Sequence, residues 1–419
     1  MLSGMVDTLM LSSVSDQAVG AVGTANTYIS VFIIMFGVIS SGMVAVMSQN
    51  IGAGRPGIAY QARQLGLAFN AVLGIIMSLF LSLGAGTILS GVGVADALMQ
   101  PAKTYLQIVG GFCILNALIP ICSSYLRAFG FSKEPLYASI IGNVINFCLN
   151  AFFLFVLHKG VAGVATATVI SRIINLVIVV LLGAVLVKAK QHPERESNRA
   201  VMGQIIRIGL PSACETAIYN VSMTLVIRFL NQMDAQGLNV TARSYTMQIT
   251  NFSYCVGAAL AQANAIMTGW HIGAKEYDAC DRGTRKAAII GVIVAVILET
   301  MFALCSGWIM QLFSKDPQMV SLVGKLLAID IVLEMGRVTN LVYGQALKTS
   351  GDAVFPVVMG ACFMILCSVG GTYLFGIRLG LLAVGAYIGM AGDECVRAVG
   401  MYLRWKSGKW KEKGLVKSR

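Results

Sequence analysis

Charged residues are scarce in this chain. Only 12% of its 419 residues are Asp, Glu, Lys or Arg, whereas a soluble domain carries roughly 25%. There are three histidines, and the ten cysteines form no C-x-x-C pair, so we expect neither a disulfide framework nor a Cys/His metal site. The sequence contains no G-x-x-x-x-G-K-[ST], H-E-x-x-H or G-x-S-x-G pattern, which argues against ATP drive and against the common intramembrane hydrolases.

Long apolar stretches are abundant in this chain. It is 57% hydrophobic, with a mean hydropathy of +0.76. The apolar stretches 23–47, 65–90, 135–157 and 287–305 come near or exceed the roughly 20 residues with which a helix crosses a bilayer. Alternating strands of about ten residues, as in a membrane barrel, are absent. The sequence therefore predicts an all-α integral membrane protein.

Twelve membrane spans are predicted, the first of them incomplete. Their approximate bounds are 1–13, 22–49, 65–90, 102–127, 135–157, 161–187, 204–230, 241–270, 287–312, 320–347, 353–376 and 379–404. The first is too short to cross a bilayer of about 30 Å. By comparison with the seventh span, we expect about seventeen residues to be missing from its front.

An internal repeat relates the two halves of the chain. The loop Ile51–Arg55 recurs as Ile272–Lys275, at an offset of 221 residues. At the same offset Arg127 matches Lys348, Gly130 matches Gly351 and Pro135 matches Pro356. Each half holds six spans, so both halves have the same orientation in the membrane. We predict two six-helix lobes related by a parallel repeat, the organisation of many secondary transporters.

The basic residues predict the topology and the domain boundaries. The formal net charge of +12 is concentrated in alternate loops and in the tail, so positive-inside bias explains it better than a nucleic-acid surface. We predict an N-terminal lobe (1–187), a cytoplasmic linker (188–203), a C-terminal lobe (204–404) and a basic cytoplasmic tail (405–419). The expected location is a bacterial inner or plasma membrane, with the chain as a monomer.

Ionisable side chains within spans are costly, so each is a functional candidate. Asp7 is the carboxylate of the first span, and Asn143, Asn146 and Asn150 are spaced to share a face of the fifth. An Asn stripe must face protein or water, because lipid offers no hydrogen-bond partners. Asp7 with such amides can hold a proton or Na⁺, since oxygen ligands suit a hard cation. The alternative is simple hydrogen bonding between helices.

A second candidate group lies in the tenth span. Glu334, Arg337 and Asn340 are spaced to share one helix face, and the repeat places uncharged Cys113, Asn116 and Ile119 opposite them. The fold therefore does not require a charge at this position, which favours a functional role for Glu334 and Arg337. The alternative is that the two residues form an ion pair that only stabilises helix packing. The other ionisable residues within spans are Glu215, Glu299, Asp330, Asp393, Glu394 and Arg397. Arg397 has the spacing to pair with Asp393.

Motifs along essentially the whole chain resemble the multidrug and toxic compound extrusion (MATE) family. They are Val6-Asp7-Thr8-Leu9-Met10, Gln49 to Arg55, Leu126-Arg127-Ala128-Phe129-Gly130, Asn146-x-x-Leu149-Asn150, Gly160-Val161-Ala162-Gly163, Gly209-Leu210-Pro211, Glu334-x-Gly336-Arg337-x-x-Asn340, and Leu347-Lys348 leading to Gly351-Asp352. Each is weak alone, but their order on twelve spans makes the resemblance specific.

The resemblance implies a V-shaped cavity between two lobes and efflux of organic cations driven by inward Na⁺ or H⁺, with no other cofactor. It implies a cation site at Asp7, Asn146 and Thr168. Many relatives have a second Asp where this chain has Asn150, which cannot titrate but offers a carbonyl oxygen; this favours Na⁺. We predict that Asn116, Glu215, Glu334, Arg337 and Asn340 line the substrate cavity. The alternatives are a flippase of lipid-linked precursors and a membrane enzyme or sensor.

Overall fold

The computed structural model describes residues 10–11, 15–91, 94, 96–188, 193–234, 237–311, 313–314 and 316–416. Regular structure in these ranges is helical throughout, as the sequence predicts for an all-α membrane protein. Apart from Met10 and Leu11, the first predicted span lies outside the described residues, and Asp7 lies outside them too.

Five predicted spans of the first half correspond to helical runs. These are α1 (Asp16–Gly52), α2 (Pro56–Leu83), α3 (Ala85–Gly91), α4 (Asp96–Tyr105) with a π turn (Leu106–Gly110), α5 (Ile114–Ala128), α6 (Lys133–Ala151) with a π turn (Phe152–Val156), and α7 (Gly160–Leu186). The helical runs Leu98–Gly110 and Ile114–Ala128 meet at a bend of 42°.

Seven further helices lie in the described part of the second half. They are α8 (Asn198–Met233), α9 (Leu238–Gly273), α10 (Tyr277–Leu304), α11 (Ser306–Met310), α12 (Pro317–Thr349), α13 (Val354–Phe363) with π turns Met364–Val369 and Thr372–Arg378, and α14 (Leu382–Lys406). A 3₁₀ turn, Lys409–Glu412, follows in the tail.

The predicted helix starts are wrong by about ten residues at two places. Helix α2 begins at Pro56 rather than near 65, and α10 begins at Tyr277 rather than near 287. In both, the first turns carry polar or charged residues such as Arg63 and Arg282. Hydropathy marks only the apolar middle of a helix, so it misses polar turns that continue the same backbone.

Within the described residues, five helices are long and apolar enough to cross a membrane, or seven if each bent pair forms one span. Helices α8, α9, α12 and α14 have the length but more polar sequences. All four belong to the second half. Polar residues in such helices must face protein rather than lipid, so these helices should carry the chemistry of this half.

The chain divides into two compact units. One contains the described residues up to Met47 together with Arg55–Gly209; the other contains Ser48–Gly54 together with Leu210–Arg419. The core of the first unit is a continuous apolar cluster that includes Phe36, Leu81 and Leu106. The second unit has two such clusters, one around Leu326 and Tyr387 and one around Val342 and Trp405.

The backbone repeats at the offset found in the sequence. Gly54 and Lys275 both have left-handed backbones, with φ of 71° and 62°, and Gly130 and Gly351 do so at 89° and 98°. The π turn Phe152–Val156 of the first half also has a counterpart in Thr372–Arg378. The predicted internal repeat is therefore confirmed in the local geometry of the chain.

The end of the chain packs back onto the second unit. Trp410 stacks on Trp405 with ring centroids 4.1 Å apart, and its Nε1 donates to the Trp405 carbonyl at 2.9 Å. Trp405 Nε1 in turn donates to Asp281 Oδ1 at 2.8 Å. The backbone amide of Leu415 donates to Gln49 Oε1 at 2.7 Å. The tail is thereby fastened to α10, α14 and the end of α1.

Asp352, in the turn between α12 and α13, is a second attachment point for the tail. Its two carboxylate oxygens accept from Arg404 Nε and Lys413 Nζ, each at 2.7 Å. Burial alone would raise the pKa of this carboxyl, but the hydrogen bonds and charges of Arg404 and Lys413 outweigh burial and hold the pKa below its usual value. The carboxylate is therefore stabilised in its ionised form.

We expect Asp352→Asn to lower the free energy of unfolding by about 3 kcal/mol, because it leaves Arg404 without its buried partner. The folded pKa lies below the unfolded value of about 3.9. The contribution of Asp352 is therefore complete above that value and is lost as the pH falls through the folded pKa. The gap in Tm between wild type and variant, followed by tryptophan fluorescence in detergent, should close at low pH. The exposed Glu412→Gln is the matched control; an unchanged Tm at neutral pH for Asp352→Asn would contradict the assignment.

Candidate functional site

The polar group predicted in the first half lies on α6 and α7. Asn146 and Asn150 are 1% and 0% exposed, and Asn150 Nδ2 donates to Asn146 Oδ1 at 3.4 Å. Thr168 on α7 is 1% exposed, and its hydroxyl donates to the Val164 carbonyl at 2.9 Å. Three of the four residues predicted for the cation site are thus buried side chains of one unit.

Gly142 sets the contact between these two helices. A Cβ at this position would lie 3.4 Å from Asn175 Cβ and 3.6 Å from the Ser171 carbonyl oxygen. The short connection between α6 and α7 makes them antiparallel neighbours. One turn beyond Gly142 stands Asn146, and one turn before Ser171 stands Thr168, so the helix register brings both to the same interface. Asp7, the fourth predicted member, lies outside the described residues.

Asn143 does not join this group. Its side chain is exposed, while Gly142, Asn146 and Asn150 form a buried stripe at four-residue intervals. The prediction that the three asparagines share one face is therefore wrong for Asn143. A spacing of three residues turns a helix by about 300°, so Asn143 and Asn146 point in directions about 60° apart. Here the boundary between the buried and the exposed face of α6 lies between those two directions.

The predicted group of the second half lies where α12 meets α14. Gly336 permits the close approach: a Cβ there would lie only 2.9 Å from the backbone nitrogen of Cys395. One turn of α12 holds Glu334 and Arg337, which form an ion pair. Arg337 Nε also lies 3.5 Å from Glu394 Oε1 on α14. The spacing that predicted a shared face for Glu334 and Arg337 is confirmed by this contact.

Glu394, which the sequence offered only as one of several ionisable residues within spans, is a further member of this group. It accepts a hydrogen bond from Asn340 Nδ2 at 3.0 Å and forms an ion pair with Arg397, whose Nη2 lies 2.9 Å from Glu394 Oε1. With Arg337 it therefore has three cationic or polar partners on two helices. Its position on α14 just after Asp393 gave a weak signal, but only the packing of α12 on α14 reveals its role.

Asp393 and Arg397 form the pair that their spacing predicts. Arg397 Nε and Nη2 donate to the two carboxylate oxygens, each at 2.9 Å, and both side chains are 3% exposed. Ser368, in a π turn that follows α13, donates to Asp393 Oδ2 at 3.0 Å. A bidentate contact between fully desolvated groups is the strong form of this interaction.

Glu215 and Asn116 are the remaining predicted cavity residues. Glu215 on α8 pairs with Lys348 Nζ at the far end of α12, at 2.5 Å. The sequence placed Glu215 in the cavity without anticipating this partner. Asn116 lies on α5 in the first unit, half-buried and one turn after Cys113. The structure thus brings Glu334, Arg337 and Asn340 together, while Glu215 pairs with Lys348.

The buried groups define what this cluster can do. Arg337 and Arg397 form ion pairs with Glu334, Asp393 and Glu394 in a region with little access to water. Arg337 retains 22% exposure of its side chain, and its guanidinium lies 6.0 Å above the ring centroid of the exposed Tyr254. Charged groups with a partly open edge can bind and release a small polar or charged species.

Comparison with known proteins gives a consistent result. The family model described as MatE matches residues 1–152 and 211–374. The uncharacterized transporter YisQ of Bacillus subtilis is 33% identical, over 99% of this chain and 92% of that protein. The Probable multidrug resistance protein NorM of Thermotoga maritima is 23% identical, over 99% of this chain and 90% of that protein. A crystal structure of MATE in the bent conformation superposes with a TM-score of 0.89 at 18% identity, covering 98% of this chain and 92% of that one.

Arg397→Gln should be the most destabilising single change in the cluster, because it leaves Asp393 and Glu394 as buried carboxylates without their guanidinium. We expect a loss of about 3–5 kcal/mol. Adding Asp393→Asn to Arg397→Gln should recover part of that loss, since one uncompensated charge is then removed. The measurement is Tm in detergent for the two single variants and the double variant. Arg378→Gln, at an exposed arginine, is the control; strictly additive losses would contradict the coupling.

Proposed function

Because the chain belongs to the MatE family of membrane transporters, we propose that it exports organic cations, drugs or toxic metabolites in exchange for an inward cation. The family assignment carries this proposal. A relative over nearly the whole chain, NorM of Thermotoga maritima, has a name that describes a multidrug resistance protein. The chain is then a secondary transporter rather than an enzyme, and its lobes expose the substrate alternately to the two sides of the membrane.

The coupling cation is assigned to the first unit. Asn146, Asn150 and Thr168 offer amide and hydroxyl oxygens that are withdrawn from lipid and water. With the carboxylate of Asp7 they would supply the hard oxygen ligands that Na⁺ prefers. Asn150 cannot titrate, so a scheme with two protonatable carboxyls at this place is not available. We therefore favour Na⁺ over H⁺ as the ion bound here.

The substrate class follows from charge in the second unit. Its buried carboxyl groups Glu299, Asp330, Glu334, Asp393 and Glu394 outnumber the guanidinium groups of Arg243, Arg337 and Arg397. A region with this balance favours cationic species over anionic ones. A flippase for anionic lipid-linked precursors would need the opposite balance. The proposed location is a bacterial plasma membrane, with the tail on the cytoplasmic side.

Asp7→Asn should uncouple transport from the cation gradient. We expect the Na⁺-driven rate of dye efflux to fall by roughly the 5- to 150-fold that coupling energies of 1–3 kcal/mol produce. The measurement uses proteoliposomes with separately imposed Na⁺ and pH gradients, and it records substrate-dependent ion flux as well as dye. Asp278→Asn, at an exposed residue of α10, is the control. Unchanged coupling in Asp7→Asn would remove Asp7 from the mechanism.

Glu334→Gln separates a transport role from a packing role. The variant keeps the shape of the side chain but removes the charge opposite Arg337. If Glu334 acts in transport, the rate of efflux should fall at least about fivefold while Tm changes little. The opposite result, normal efflux with a lower Tm, would mean that the pair only locks α12 in place. Both quantities are measured on the same purified protein.

A further inference from the structure

Helix α10 has one buried stripe, and a carboxyl group ends it. The stripe contains Ala288, Gly291, Ala295 and Glu299, at intervals of three or four residues. Gly291 allows close packing: a Cβ there would lie 2.6 Å from Val338 Cγ1 of α12 and 2.9 Å from Leu260 Cδ2 of α9. Glu299, two turns further along, is 0% exposed and so lies among these three helices.

The register of α10 on α12 places Glu299 opposite Asp330. The beginning of α10 packs with the end of α12, where Ala288 shares a cluster with Val342. The end of α10 packs with the beginning of α12, where Phe302 contacts the cluster of Val323. The two helices are therefore antiparallel. From the contact between Gly291 and Val338, eight residues forward on α10 lead to Glu299 and eight back on α12 lead to Asp330.

Neither carboxyl group forms a salt bridge with a described side chain. Both oxygens of Glu299, and Oδ2 of Asp330, lack a hydrogen-bond donor among the described residues. The hydroxyl of Ser253 on α9 faces Glu299, at a geometry short of a regular hydrogen bond. An ionised carboxylate in such surroundings costs several kcal/mol.

The buried arginines of the second unit have other contacts. Arg337 and Arg397 contact Glu334, Asp393 and Glu394. Arg243, buried on α9, directs Nη2 to the sulfur of Met223 at 3.8 Å. The charge of Arg337 also acts on Glu299 and Asp330, but the negative charge of Glu334 opposes it at both carboxyl groups. Two adjacent carboxyl groups without an ion pair of their own cannot both stay ionised in an apolar interior.

We propose that Glu299 and Asp330 form a proton-binding site in the second unit, in which at least one of the two carboxyl groups carries a proton at neutral pH. The site differs in place and chemistry from the amide and hydroxyl group of α6 and α7. A proton is favoured over a metal ion because, among the described residues, no three His, Cys, Asp or Glu side chains converge as metal ligands would. Proton binding does not depend on the proposed function; its use in coupling does.

Infrared spectroscopy of the purified full chain tests the site directly. A protonated carboxylic acid has a carbonyl stretch that is absent from a carboxylate. We expect this band at neutral pH in the wild type and its disappearance as the pH is raised. Each single variant, Glu299→Gln or Asp330→Asn, should shift the pH of that disappearance, and the double variant should lose the band. Glu412→Gln, at an exposed carboxyl, should leave the band unchanged. An identical spectrum in wild type and double variant would overturn the proposal, as would removal of the band by Na⁺ at constant pH.

A second measurement needs only the wild type, so it remains decisive if a variant fails to fold. A hydrophobic carbodiimide reacts with protonated carboxyl groups in apolar surroundings. Peptide mass spectrometry should find the adduct on Glu299 or Asp330, with less labelling at high pH. Labelling confined to other carboxyl groups would reject the site. Neither measurement involves transport: a positive result without export would reject the proposed function alone, and export without a protonated pair would reject this site alone.

Discussion

The second unit depends on how charge is neutralised among closely packed apolar helices. Glu394 holds the arrangement together, because it accepts a hydrogen bond from Asn340 and forms ion pairs with Arg337 and Arg397 on two different helices. The approach of α12 to α14 at Gly336 makes this possible. A helix pair with bulkier residues at the crossing would keep the charges apart, and each would then carry its full desolvation cost. The close packing of α12 on α14 and the pairing of their charges therefore depend on each other.

In the first unit, the polar side chains buried between α6 and α7 are neutral. Asn146, Asn150 and Thr168 are buried without a charge of their own. The two halves of a repeated architecture therefore differ in the groups that their interiors would offer to an ion. These three side chains of the first unit offer neutral oxygen dipoles, whereas the second unit offers carboxyl groups, three of which contact arginine.

Sequence reasoning succeeded where the chemistry is local. The offset of 221 residues predicted the shared turns at Gly54 and Lys275, and a spacing of four predicted the Asp393–Arg397 pair. It could not reach contacts between distant segments. The hydrogen bond from Asn340 to Glu394 joins residues 54 positions apart, and no periodicity encodes that distance. The pairing of Glu215 with Lys348 and the exposure of Asn143 depend in the same way on which helix lies alongside.

Lys275 shows how the two halves have diverged without a change of path. It keeps the left-handed backbone that Gly54 has in the first half. Glycine adopts this conformation freely, whereas an L-residue with a Cβ is disfavoured there by about 1 kcal/mol. The flanking helices of the second half therefore hold the turn against its own local preference. The two copies of this turn have unequal tolerance of later mutation: the glycine copy can lose neighbouring contacts and keep its shape, while the lysine copy relies on those contacts to remain folded.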